Sequence, residues 1–569
     1  MKRLSAMMGE NGHRLLLPLA ALLAVLPLIL GGTSCGHDFP FHVGNWMEAQ
    51  HQWSQGVLLP RWDFAAAWNA GEPRFLFYPP LTWMLGAALG TILPWSAVPI
   101  VFTWIALTLS GLTLYRLARA HTTSNAALIA ACVYLANPYM LFVAYERTAF
   151  AELLAAAWMP LLLFEALRPR IRIAPLGIAV ALLWLTNAPA AVVGCYTLAL
   201  IVFLRLFFER KAGIRPLWSL ALRSSAGTAL GLALAAFYIL PAAYERRYVQ
   251  IQMAVLEGMQ PWNNFLFAHS GEDSHIAVLR QASFAALAIF AVALLSAAWL
   301  LSTSFFASRN GLKRNARPSH QNVMLLTIVT VIVLFLLTPP SAPIWRHAPQ
   351  LLFLQFPWRF TAVEEAIAAF LFALALSHLG KNKLASVAAL ALSVILAFTG
   401  DHLYHQPFHD DDTVADIRST LQNHQGIDPT DEYTPTDADN DSLAHGNPAF
   451  WTNDNPDAPP SPGLPRVTTI SSGDPYLTFY QVKAGPKFLI LNLRLFHGWH
   501  LLRDGTEISL TRPRTDGLAA IPLLPGHDNS IEIVYRRSSD QSLGIAISIA
   551  ALLITVPFVR RERGRAYTF

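Results

Sequence analysis

The sequence predicts a polytopic α-helical membrane protein with about twelve transmembrane helices, one re-entrant or interfacial helix and a small C-terminal β-domain. Three observations carry this. Of 569 residues, 54% are hydrophobic and only 14% charged, and the mean hydropathy is +0.39, which calls for lipid-facing segments rather than one soluble core. Apolar runs close to the roughly 20 residues needed to cross a bilayer recur along the chain, separated by short basic clusters. Near the C-terminus that pattern gives way to short aliphatic and aromatic runs with a turn signal at Asp504-Gly505.

The elements follow in order. The run from Arg14 to Gly32 has basic flanks and reads as an uncleaved first span rather than a signal peptide. Six basic stretches then act as topological checkpoints for the cytoplasmic side: Arg116 with Arg119, "RPRIR" (168–172), "ERKAGIR" (209–215), "SRNGLKRNAR" (308–317), "GKNK" (380–383) and "RRERGR" (560–565). Spans at roughly 97–116, 124–142, 150–167, 173–187, 189–208, 218–240, 276–301, 323–340, 359–378, 384–400 and 541–559 satisfy all six in alternation. With the first run they make twelve crossings, both termini cytoplasmic. The apolar run 79–95 is short, bounded by prolines and free of basic residues. A crossing there breaks the parity, so it reads as re-entrant or interfacial.

The division expected is a helical membrane domain at 1–400 with a large first outer loop at 33–78, an acidic outer segment at 401–465, an outer β-domain at 466–540, and a last span with a basic tail at 541–569. The acidic segment holds thirteen Asp and Glu against one basic residue, Arg418, between Asp401 and Gly463. The formal net charge of +5 comes from the orienting clusters, so nucleic acid is not an expected partner; the bilayer is. Cys35, Cys132 and Cys195 are too scattered for a disulfide framework or a thiolate metal site.

Chemistry-bearing residues gather where the chain reaches the outer face. In "HDFPFH", Asp38 and His42 stand four apart and share a helix face, where a carboxylate can serve as general base or as an oxygen ligand for a divalent cation. A wet face of an interfacial helix explains the same spacing. The stretch 58–81 mixes Arg61, Arg74 and Tyr78 with further aromatics and reads either as a surface for sugar rings and phosphates or as an interfacial aromatic belt. Glu146, Arg147 and Glu152 lie beside spans, where ionisable residues are costly, although a Glu–Arg pair accounts for them equally. Arg359 opens a span and suits a lipid phosphate or plain anchoring. The His269–His275 loop matches no zinc spacing, and phosphate loops, nucleophile elbows and dinucleotide fingerprints are missing from the sequence.

The order of "HDFPFHVGNWMEAQHQW", "YERTAFAELLAAAWMPLLL", "LLWLTNAPAA", "AFYILPAAYE", "LQFPWRF", "DEYTP" and "FHGWHLLRDG" resembles the bacterial membrane proteins labelled 6-pyruvoyl-tetrahydropterin synthase-related. These resemble in turn the GT-C superfamily of polytopic glycosyltransferases that use polyprenyl-phosphate sugars. The pterin label implies no activity here, since no organised three-histidine zinc site is present and the spans cannot build a soluble pterin-synthase fold. The GT-C resemblance implies a GT-C-like fold and an acidic catalytic residue near the start of the first outer loop, a position Asp38 matches. "HDFPFH" departs from the superfamily's commonly paired acids, which leaves metal dependence, and so a divalent-cation cofactor, open. The resemblance further implies that the β-domain sits above the outer cavity, where it could select an acceptor; the residues of "FHGWHLLRDG" read as structural, with Trp499 in a core and Asp504-Gly505 as the turn.

The expected function is transfer of a sugar, by inversion or retention, from a polyprenyl-phosphate carrier to an envelope acceptor at the bacterial inner membrane. Asp38 and His42 are the catalytic candidates; Arg61, Arg74, Tyr78, Glu146, Arg147, Glu152 and Arg359 are the candidates for substrate binding. Two rivals remain: a non-catalytic transporter or flippase-like protein of polysaccharide assembly, and a structural membrane protein presenting its β-domain.

Overall fold

The computed structural model describes residues 2–210, 213–256, 258–269, 271–309, 320–348, 350–378, 384–408, 412–460, 467–509 and 514–564. Among the described residues, six helices are long and apolar enough to cross a membrane: within Val98–Arg119, Ser124–Glu146, Ala188–Phe208, Asp273–Thr303, Ser386–Tyr404 and Ser539–Val559. Two helix pairs, Ile214–Leu234 with Ala236–Tyr248 and His320–Leu336 with Pro339–His347, bend by 77° and 92° and raise the number to eight if each pair is one span. The other expected crossings are helical but short or interrupted. The 150–167 run breaks into Phe150–Ala156 and Met159–Ala166, and 359–378 supplies Thr361–Ala375. Among the described residues, length and composition alone therefore support at least six to eight spans.

Prolines and capping side chains set many of these breaks. Pro27 follows the break that ends the first helix, Lys2–Ala24. Asn187 closes the helix Ile173–Thr186 and caps the next, its side chain accepting the Ala190 N–H at 2.8 Å with Pro189 in the first turn. Asn137 does the same for the turn Pro138–Leu141, accepting from the Tyr139 and Met140 N–H groups. The proline-bounded run 79–95 forms an 11-residue helix, Pro80–Gly90. At about 1.5 Å per residue it is roughly 16 Å long, half a hydrocarbon core, and it packs on the first-loop helix Phe39–Ser54.

Among the described residues, eight strands build the β-domain. β1 (Phe450–Asn453), β4 (Phe488–Arg494) and β7 (Leu518–Pro522) form one antiparallel sheet in the order β1-β4-β7. β2 (Val467–Ser471), β3 (Leu477–Val482), β8 (Asn529–Tyr535), β5 (Trp499–Arg503) and β6 (Thr506–Ile508) form the second in the order β2-β3-β8-β5-β6. Asp504 and Gly505 make the tight β5–β6 turn, with φ of 51° and 77° and Arg503 paired to Thr506; two positive φ values suit this hairpin. β1 lies inside 401–465, so part of the acidic segment joins the β-domain. Another part, the helix Val414–Gln422, packs on the first-loop helix.

Several aromatics of 58–81 are not exposed. Trp62 is fully buried, with its ring 5.9 Å from Phe496 and 5.8 Å from Trp499, and Leu76 and Phe77 enter the same core as Leu489, Leu491 and Ile531. Trp499 is 8% exposed, the core residue expected. The Tyr476 hydroxyl accepts the backbone N–H of Arg61 (2.9 Å) and Trp62 (3.0 Å) and donates to Gln52 Oε1 (3.1 Å). The loop is thus the seat on which the β-domain rests, its aromatic rings filling a core shared with that domain.

Arg74 ties this seat together. Its guanidinium is 2.7 Å from Glu72, 3.4 Å from Asp63 and 3.1 Å from Asn45 Oδ1, and it donates to Thr430 Oγ1 and the Asp428 carbonyl. Glu72 takes the closest ion pair, which leaves Asp63 as surplus negative charge in a buried place. Burial, opposed by Arg74 and reinforced by Glu48 and Glu72, raises the Asp63 carboxyl to about 7. Between the ordinary Asp value of about 3.9 and that raised value, the unfolded chain has released a proton that the folded chain holds, so stability falls as pH rises across this window. Thermal unfolding of the purified protein between pH 4 and 7 should show that decline. Asp63→Asn, with no proton to lose, should flatten it, and an unchanged slope would exclude Asp63 as its source.

Candidate functional site

The site forms where the start of the first loop meets the segment after the Ser124–Leu135 helix. There the chain passes through a five-residue π-helical turn, Phe142–Glu146, before Phe150–Ala156 begins; such turns re-aim side chains and recur at functional sites. The loop start is laced to it. Ser34 Oγ donates to the Tyr145 carbonyl (2.7 Å), and the Asp38 N–H donates to the Arg147 carbonyl (3.0 Å).

Gly36 permits this approach. A Cβ at position 36 would lie 2.3 Å from the Glu146 carbonyl oxygen and 2.7 Å from the Arg147 carbonyl carbon. Both are backbone atoms and cannot swing aside. Gly36→Ala should therefore push residues 36–38 away from Arg147 and reduce any activity that depends on Asp38 by about 10²-fold, the scale of a misplacement near 1 Å. The comparison is a rate measured well below the melting temperature of both proteins; an unaffected rate would show that this contact does not position Asp38.

Four charges converge here. Arg147 Nη2 is 3.1 Å from Asp38 Oδ2, Arg147 Nη1 is 2.7 Å from Glu152 Oε2, and Arg359 Nε is 3.9 Å from the same Glu152 oxygen. Glu152 Oε1 accepts from the Tyr139 hydroxyl at 2.6 Å. Behind them Asn137 Nδ2 donates to Glu365 Oε2 at 2.8 Å. The Asp38 side chain is 39% exposed, whereas Arg147, Glu152 and Arg359 are 8%, 5% and 13% exposed. The one group with open access is the carboxylate, on a nearly buried base of two cations and one anion.

His42 and Tyr78 flank this cluster. The His42 ring packs edge-on against Phe41, Tyr78 and Phe150, and burial pushes its pKa down to about 4, opposed by Asp38 and reinforced by Arg147. It is a neutral imidazole at neutral pH. Burial also raises the Tyr78 phenol, with Asp38, Arg359 and Arg147 all within electrostatic range. Of the nine residues singled out from the sequence, the structure brings together Asp38, His42, Tyr78, Arg147, Glu152 and Arg359. Glu146 is adjacent but faces elsewhere, accepting from Gln406 Nε2 at 2.6 Å. Arg61 and Arg74 belong to the seat of the β-domain. Tyr139, Asn137 and Glu365 were not singled out. Two adjacent glutamates, Glu364 and Glu365, inside an apolar run were the available signal.

A divalent cation does not suit this donor set. Among the described residues no three His, Cys, Asp or Glu side chains converge, and the Arg147 guanidinium already occupies Asp38 Oδ2 where a cation would bind.

Residues 75–404, more than half of the 569-residue chain, match the family described as 6-pyruvoyl-tetrahydropterin synthase related domain, membrane protein. The chain belongs to this family. The matched segment of this pterin-synthase-related membrane protein contains Tyr78, Arg147, Glu152 and Arg359, while Asp38 precedes it and is joined to it by the contacts above. No curated protein matches the sequence. Among solved structures, the chain is similar to the arabinofuranosyltransferase AftD from Mycobacteria (TM-score 0.42, 18% identity, 72% of this chain and 28% of that one). It is also similar to the Archaeoglobus fulgidus oligosaccharyltransferase in the apo form (0.36, 16%, 74% and 60%) and to ArnT from Cupriavidus metallidurans bound to undecaprenyl phosphate (0.27, 13%, 73% and 89%). The pterin-synthase-related chain thus spans less than a third of the length of AftD.

Proposed function

We propose that this membrane protein is a GT-C-like glycosyltransferase that moves a sugar from a polyprenyl-phosphate carrier to an envelope acceptor hydroxyl at the outer face of a bacterial inner membrane, with both termini cytoplasmic and twelve crossings. The observation that carries the reading is the exposed carboxylate of Asp38 held 3.1 Å from Arg147, with Arg359 on the far side of a shared Glu152. It supplies a base and two cations within one cluster, the pieces that transfer from a lipid phosphate needs.

In this mechanism the acceptor oxygen bonds to the anomeric carbon as the bond from that carbon to the phosphate oxygen breaks. The electron pair leaves with the polyprenyl phosphate, and the hydroxyl proton passes to Asp38. The leaving phosphate rests near Arg147 and Arg359. Arg359 donates through Nη1 to the Leu354 carbonyl and Gln355 Oε1 and turns its buried Nε toward Glu152 Oε2 at 3.9 Å, so it supports the phosphate through its charge. The Tyr78 phenol lines the approach and orients the acceptor, with neutral His42 packed behind it. No step passes through a metal.

The test is reconstitution of the full chain in vesicles with radiolabelled undecaprenyl-phosphate sugars and an envelope extract. Release of undecaprenyl phosphate, with label passing to a non-lipid product, is expected. If neither occurs with any donor of the panel, the transferase reading fails.

A further inference from the structure

Beside the first-loop helix, and apart from the charged cluster, lies a groove of about 1120 Å³. One wall is the C-terminal half of Phe39–Ser54, the other is Val414–Gln422, and the floor is the turn after Pro80–Gly90. Met47, the first residue of the helix to line it, is nine positions beyond Asp38, about 14 Å along the axis. At about 100° per residue its direction is roughly opposite that of Asp38. The groove is therefore a separate place and not an extension of the cluster.

Its walls are polar: Glu48 and His51 line it with side chains already engaged by Gln52 (2.7 Å) and Gln55 (3.1 Å). Gln50 projects from one side, and Arg418 and Gln422, one helical turn apart, project from the other. None of the three has a side-chain hydrogen bond or ion pair among the described residues, so amide and guanidinium groups are free to face an occupant. Trp95 supplies a flat apolar floor. Its indole lies so close over Gly90 that a Cβ there would meet the ring at 2.4 Å. Amides that both donate and accept, a planar cation and a fixed aromatic face match the hydroxyls and the C–H face of a sugar. The volume exceeds the roughly 300–1,000 Å³ of a pocket for one small molecule, which favours several linked sugars over a single one. Polar groups on both walls disfavour a lipid tail.

We infer that this groove binds an oligosaccharide, the body of the glycan acceptor, away from the hydroxyl that reacts. This rests on the transferase reading for the word acceptor, but binding itself does not. Contacts remote from the reacting centre supply binding energy for a long acceptor. Arg418, the only basic residue between Asp401 and Gly463, gives the groove a preference for an acidic sugar.

The experiment uses the full chain in nanodiscs with two fluorescently labelled probes, tetragalacturonate and maltotetraose, read by anisotropy. Wild type should bind tetragalacturonate saturably and more tightly than maltotetraose. Arg418→Ala with Gln422→Ala, both exposed and free of partners, should weaken tetragalacturonate at least tenfold and erase the preference, with the thermal midpoint unchanged. Asp38→Asn should bind like wild type. Failure of both probes to bind wild type overturns the proposal, as does unaltered binding by the double variant. If the probes bind as expected but sugar transfer is never observed, the transferase reading fails and the groove assignment stands.

Discussion

Asp38→Asn should lose sugar transfer by about 10² to 10⁴-fold, the contribution of a correctly placed general base. The substitution is nearly isosteric and isolates protonation from shape. An asparagine carbonyl can still accept from Arg147 Nη2, and Arg147 keeps its 2.7 Å pair with Glu152, so the cluster has no reason to collapse. The backbone bond from residue 38 to the Arg147 carbonyl is indifferent to the side chain. Insertion and thermal stability should therefore stay close to wild type while release of undecaprenyl phosphate falls. The side chain's 39% exposure further limits the structural cost. Full activity of Asp38→Asn in the vesicle assay would remove Asp38 from catalysis and return it to the role of an ordinary partner of Arg147.

What the sequence disclosed and what it withheld divide along the range of the interactions. The proline-bounded helix Pro80–Gly90 and the Asp504-Gly505 turn were legible because proline, glycine and run length act locally. The placement of Asp38, Arg147, Glu152 and Arg359 in one cluster was suspected only because ionisable groups beside apolar runs are rare. Their distances depend on Gly36 closing onto the π-helical turn at Phe142–Glu146, which no periodicity reports. Trp62 and Phe64, within 58–81, read as part of a sugar-binding surface or of an interfacial belt because aromatic faces beside a span suit both. Their partners Phe496, Trp499 and Tyr476 lie more than 400 residues away. Arg74 was misleading for the same reason: an arginine near aromatics suits a phosphate, but Asp63, Glu72 and Thr430 satisfy it from within the fold. The crossing count shows the converse. Charge parity asked for twelve spans, whereas breaks at 157–158, 187 and 235 leave helices whose lengths alone support six to eight.

Glu152→Gln should be the most destabilising conservative change in the cluster. Glu152 is the anion shared by two nearly buried guanidinium groups, Arg147 at 2.7 Å and Arg359 at 3.9 Å, and it also accepts from Tyr139. A glutamine fills the same volume and keeps one acceptor. It removes the charge, however, and leaves two cations with only the half-exposed Asp38 between them. Breaking a buried pair while its partner stays charged costs about 3–5 kcal/mol, and here one carboxylate serves two partners. The expected result is a clearly lower thermal midpoint in detergent together with loss of transfer. A second substitution separates charge from packing. In Glu152→Gln with Arg359→Gln the surplus cation is gone, so the double variant should recover part of the stability lost in Glu152→Gln alone, a coupling visible in a double-mutant cycle. Transfer should not recover, because Arg359 is the proposed phosphate contact. Stability that simply adds across the two changes would show that Glu152 and Arg359 act independently, and would remove the electrostatic basis for placing a phosphate near Arg147 and Arg359.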